Sequence, residues 1–81
     1  MYETQTTIQN TIETVMVNSS AIYSAEYDLA KQTLKVYFNN EGIYDYIDVP
    51  EFYWRGLVAA PSKGKFLNSY VFKSFYFERI G

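Results

Sequence analysis

Four consecutive residues, Ser62-Lys63-Gly64-Lys65, combine the parts that hold a small anion. A capping serine, a glycine and two lysines at a helix start would bring backbone N–H donors and positive charge together. That arrangement suits a phosphate or a carboxylate. It is not a Walker-type phosphate loop, because Lys65 is followed by Phe66 and Ala59 stands where the first glycine belongs. The plainer alternative is a solvated cap with an ordinary turn glycine. Arg55, Lys73 and Arg79 would extend the patch only if folding gathers them.

Tyr44 and Tyr46 lie two residues apart, so in a strand they share one face. On an open face such rings stack unpaired bases. Under a helix they are core, and a small aromatic-rich domain needs rings in its core. The face they occupy is left open by the sequence. Phe52, Tyr53 and Trp54 sit side by side in a helical segment, where neighbours point about 100° apart, so at least one ring must lie near the surface. Trp54 and Tyr53, with Arg55, are the candidates for a protein interface, where these residue types concentrate binding energy. Asp45, Asp48 and Glu51 are close along the chain, yet no Gly-bearing calcium loop surrounds them, and a solvated edge is expected rather than a metal site.

The sequence contains no histidine and no cysteine. The commonest general base, the commonest metal ligand and every thiolate are therefore missing, and no serine has an activating partner. An enzyme is not expected, nor is a metal or other cofactor. With no disulfide to staple it, the fold must be held by packing, for which 20% aromatic content provides large buried areas.

Net charge is −2 but unevenly spread. Residues 1–51 hold two lysines against eight acids, a balance of −6, and residues 52–81 hold five cations against Glu78, a balance of +4. A basic third can form a local anion-binding face, although the whole molecule would not be drawn to nucleic acid. The start has neither the basic nor the apolar segment of a secretory leader, and no apolar run approaches membrane-spanning length. A cytoplasmic protein without membrane contact is the expectation.

The elements that must position these residues are few. At 81 residues there is room for one domain. Ile8, Ile12 and Val15 fall at helical spacing, so residues 1–15 are expected as an arm carrying a short helix. Its threonines disfavour a helix, and a strand or a frayed terminus are the alternatives. Residues 21–27, 33–38 and 43–48 alternate as strands, joined by the turn-prone Asp28–Lys31 and Asn39–Gly42, which predicts a three-stranded antiparallel meander. Leu34, Val36 and Phe38 share the face that a helix must cover. Pro50 opens one helix, with Tyr53, Leu57 and Ala60 as its apolar stripe, and Pro61 ends it. Ser62 caps a second helix through Phe66, Leu67, Tyr70 and Val71. Residues 75–80 make an extra short strand or an extended tail. The predicted class is α+β, a small meander covered by two C-terminal helices, with the domain drawn at 16–81.

In order along the chain, Val17-Asn18-Ser19-Ser20-Ala21-Ile22, Tyr27-Asp28, Thr33-Leu34-Lys35-Val36-Tyr37-Phe38, Gly42-Ile43-Tyr44-Asp45-Tyr46, Val49-Pro50, Ala60 to Asn68 and the ending Arg79-Ile80 resemble the KTSC domain. The resemblance covers about residues 16–80. The family is named for its occurrence at the C-terminus of some lysyl-tRNA synthetases, and its members also stand alone in bacteria and phages. It implies a binding module, for which RNA has been suggested and no activity is established. Two readings follow. One is a protein-binding module, for instance a phage-encoded modulator of a host protein, docking through Trp54, Tyr53 and Arg55. The other is an RNA or tRNA module using Ser62, Lys63, Gly64, Lys65, Lys73 and Arg79 on phosphates and Tyr44 and Tyr46 on bases. The acidic balance favours the protein reading.

Overall fold

The computed structural model describes residues 11–81. Four strands follow one another, β1 (Ile12–Met16), β2 (Ile22–Asp28), β3 (Thr33–Phe38) and β4 (Ile43–Tyr46). The chain then leaves the sheet through α1 (Glu51–Ala59) and α2 (Lys63–Phe66), which continues as a π-helical turn over Leu67–Val71. It returns as β5 (Phe77–Arg79). The five strands pair in sequence order and all neighbours are antiparallel.

The predicted three-stranded meander is therefore the centre of a five-stranded sheet. The helix expected in the arm is overturned over residues 12–16, which form β1. β-branched Ile12, Thr14 and Val15 suit a pleated strand, and β2 stands in register opposite each residue from Ile12 to Met16. The boundary drawn between residues 15 and 16 falls inside β1, so residues 12–15 belong with the domain. Ile8 and the rest of the arm lie outside the described residues. At the other end the extra short strand exists, with Tyr44 opposite Arg79, Asp45 opposite Glu78 and Tyr46 opposite Phe77.

The turns have local causes. Asp28 accepts the N–H groups of Ala30 and Lys31 at 3.0 and 3.1 Å, closing the β2–β3 turn. Gly42 has φ +98° in the β3–β4 turn, where a side chain would run into Arg79 and the Gly81 carbonyl. Ala60 is extended at ψ 137°, as the residue before a proline is driven to be, and α1 stops there. The Ser62 hydroxyl accepts the Lys65 N–H at 3.4 Å, the cap expected for α2.

The helices cover one face only. Ala25, Tyr27, Leu34, Val36 and Tyr46 of that face pack beneath Trp54, Leu57, Leu67 and Val71. Phe38 is half-buried against the same core, so the predicted inward trio of β3 holds. In α1 the inward stripe runs through Trp54 and Leu57, not Tyr53, Leu57 and Ala60. The Trp54 indole stacks on Tyr27, centroids 5.5 Å apart and planes within 10°. Burying rings of this size contributes on the order of 2–3 kcal/mol each, which a core this thin requires.

Candidate functional site

Most of the predicted site residues have structural employment. Trp54 is 1% exposed and cannot meet a partner. Its indole N–H donates to Glu13 at 2.7 Å. The required surface ring of that trio is Phe52, 68% exposed. Tyr53 is half-buried, stacked on Phe52 and edge-on to Phe75. Arg55 bridges Glu13 at 3.0 Å and Glu51 at 2.7 Å, which holds its guanidinium charged and ties α1 to β1.

Tyr44 and Tyr46 lie on the helix-covered face. Tyr46 is 5% exposed, packed on Phe72 and Phe77, and burial raises its phenol pKa above the ordinary value. Tyr44 meets Phe38 edge-on and also touches Phe77. A base-stacking platform needs an open face, and these rings do not occupy one.

The basic residues are partly engaged and spread out. The Lys63 ammonium donates to the Ala60 carbonyl at 3.0 Å, satisfying the end of α1. Gly64 faces Ser19, which places the Ser62–Lys65 cap at the end of the sheet that holds the β1–β2 and β3–β4 turns. Arg79 lies at the same end beside Gly42 and donates to the Gly81 carbonyl at 2.9 Å, but on β5. Three strand spacings, roughly 14 Å, separate that strand from β2, too wide for both groups to hold one phosphate. Lys73 sits in the turn after Val71. Among the described residues no hydrogen bond or ion pair joins Lys65, Lys73 and Arg79.

A surface that the sequence reading passed over is the other face of the sheet, which neither helix covers. Register aligns Thr14, Glu26, Lys35, Asp45 and Glu78 in one row across it. On one side of this row lie Ile12, Thr33 and Ile47, and on the other Met16, Tyr37 and Ile43. Between Ile12 and Ile47 the face dips into a groove of about 280 Å³, lined also by Glu26, Asp28, Lys31, Thr33, Lys35 and Asp45. One Asp45 carboxylate oxygen, Oδ1, is buried without a hydrogen-bond partner among the described residues. Burial, and next the Glu26 carboxylate, raise the Tyr37 phenol pKa. The signal available in advance was the polar side of the alternation, where Glu26, Lys35 and Asp45 recur at outward positions of three successive strands.

Asp48 stands apart in the turn after β4 with φ +57°, and Glu51 is engaged by Arg55. Among the described residues no group of three or more His, Asp or Glu side chains is placed to hold a metal ion, and no helix is long and apolar enough to cross a membrane.

An antiparallel meander with one face roofed by two short helices and the other left open among the described residues defines a small α+β module. Its sequence places it further, since the family model of the KTSC domain matches residues 18–76 and the chain belongs to that family. A protein of Tsukamurella paurometabola is 44% identical over 55 residues, 68% of this chain and 82% of that one. A lysine–tRNA ligase of Nostoc punctiforme is 34% identical over 61 residues, which is 75% of this chain but 11% of the ligase. The crystal structure of a KTSC domain protein from Yersinia pestis matches with a TM-score of 0.79 at 33% identity, covering 86% of this chain and 99% of that one.

Proposed function

We propose that this chain is a non-catalytic protein-binding module that docks through the open face of its sheet. The observation that carries the reading is the division of labour between faces. Helices and rings fill one side, while the other exposes Ile12, Met16 and Tyr76 beside a row that holds Glu26, Lys35, Asp45 and Glu78. Apolar side chains around charge, left outside the core, are the makings of a partner surface. The lack of histidine and cysteine supports a role in binding rather than catalysis.

Photocrosslinking tests this reading. A photoreactive phenylalanine analogue replaces Met16 on the open face or Val58 on the exposed side of α1, and each protein is irradiated in a bacterial lysate. Adducts from position 16 that resist nuclease and are missing from position 58 are expected. Adducts that disappear on nuclease treatment would overturn it.

RNA binding is the second reading, favoured by the likeness to a segment of a lysine–tRNA ligase and by exposed Lys65 at the end of the sheet. It requires affinity for tRNA that falls steeply with salt, in proportion to the phosphates neutralised.

A further inference from the structure

We propose that the partner segment seated on the open face is basic, and that it places an arginine or lysine side chain against Asp45 and Glu78 with apolar residues on either side. The inference rests on the protein-binding reading above and names the chemistry of the partner.

Charge complementarity carries it. Within the central row Lys35 is the one cation among three acids, Glu26, Asp45 and Glu78. Register sets Lys35 between Glu26 and Asp45, one cation beside two acids. Glu78 has only Asp45 opposite it, and like charges facing across a strand pair repel. Oδ1 of Asp45 in this row is closed to solvent and has no hydrogen-bond partner among the described residues, so no hydrogen bond offsets its charge. A guanidinium offers paired N–H donors in the geometry that carboxylates accept, and it supplies the missing positive charge.

The aliphatic residues of the two flanking rows, which also hold Asp28, Thr33, Ser24 and Tyr37, define the rest of the segment. Ile47 and Ile43 flank Asp45 on β4, each about 7 Å away along the strand, while Ile12 and Met16 flank Thr14 on β1, three strand spacings from β4. A cation flanked by aliphatic side chains at that spacing matches Asp45 with Ile43 and Ile47 on either side of it. A nucleic-acid backbone matches none of them, since its phosphates would meet carboxylates.

Isotope-labelled full-length protein is titrated with a roughly ten-residue peptide alternating arginine with isoleucine and threonine, and with its glutamine-for-arginine counterpart. Amide shifts concentrated on β3, β4 and β5 are expected with the arginine peptide and not with the glutamine peptide. Asp45→Asn combined with Glu78→Gln should weaken binding about tenfold or more, the scale of truncating one side of a desolvated charge pair. The dispersion of the variant's own spectrum shows that it is folded. Absence of shifts on the open face, equal affinity for both peptides, or indifference to the double variant each overturns the inference. Nuclease-resistant adducts from position 16 together with any of these results would leave the protein-binding reading standing without a basic partner. Nuclease-sensitive adducts would remove that reading itself.

Discussion

The Glu13 carboxylate on β1 receives the indole N–H of Trp54 on α1 at 2.7 Å and, through the same Oε1 atom, an Arg55 guanidinium N–H at 3.0 Å. One side chain thereby fixes the rotation of α1 against the sheet. Glu13→Ala leaves the indole N–H without its acceptor in a half-buried site, which should cost about 1–2 kcal/mol. Glu13→Gln keeps an oxygen for the indole and loses only the charge, so roughly half that cost is expected. Urea unfolding followed by the fluorescence of Trp54, the single tryptophan, reads both. Equal costs for the two variants would mean that charge rather than the indole bond is what β1 contributes.

Trp54 and Phe52 give a sharp contrast within one helix. Trp54→Ala opens a cavity beside Tyr27 and Leu57 and should cost about 3–5 kcal/mol. For a domain of this size that is most of its total stability, so a largely unfolded protein by circular dichroism is expected. Phe52→Ala, at an exposed position, should stay within about 0.5 kcal/mol of the parent. A folded, stable Trp54→Ala protein would contradict the packing described above.

Three phenols, those of Tyr27, Tyr37 and Tyr46, have pKa values raised above 10.0, in each case chiefly by burial. For Tyr27 the next cause is the Glu51 carboxylate. A raised pKa means that the unfolded chain releases these protons first. Their contribution is complete below the unfolded value near 10 and is lost as pH climbs from there through the folded values. Stability should therefore be flat in this respect at neutral pH and fall on the alkaline side, with these tyrosines ionising late in a near-ultraviolet absorbance titration. Tyr27→Phe keeps the stack on Trp54 and loses the 2.5 Å bond from the hydroxyl to the Val49 carbonyl. It should cost about 1 kcal/mol at neutral pH and make the alkaline decline shallower. An unchanged alkaline slope would assign the effect to the other two phenols.

What the sequence revealed follows the range of the interactions concerned. Pro61, the Ser62 cap and Gly42 act within a turn or two, and each does in the structure what its chemistry dictates, while Pro50 stands at the N-cap of α1, one residue before the first helical position. The inward trio of β3 was equally plain from alternation. The α1 stripe was not, because Leu57 belongs both to the Tyr53 set and to the Trp54 set. The choice between them is made by Tyr27 and Glu13, which meet α1 only once the chain is folded. β1 was hidden for a similar reason, since Ile12 and Val15 have helical spacing and pairing with β2 decides the matter. The open-face row escaped notice because Glu78 joins Asp45 only after two helices have returned the chain to the sheet. The KTSC resemblance, resting on ordered short motifs, named the family without locating a site.

Glu78 offers a test in which stability and binding move in opposite directions. Its register partner is Asp45, a like charge, and Lys35 lies on the far side of that residue. Threonine also suits a strand better than glutamate does. Glu78→Thr should therefore raise stability by roughly 0.5 kcal/mol, visible as a melting temperature a few degrees higher. The same substitution should weaken the arginine peptide, because it removes one of the two carboxylates that would hold the guanidinium. A residue kept only for the fold would not show this pairing of gain and loss, whereas one kept for a partner at the expense of stability would. Loss of stability in Glu78→Thr would instead make the carboxylate a structural group of β5, and the acid row would lose its case as a docking surface.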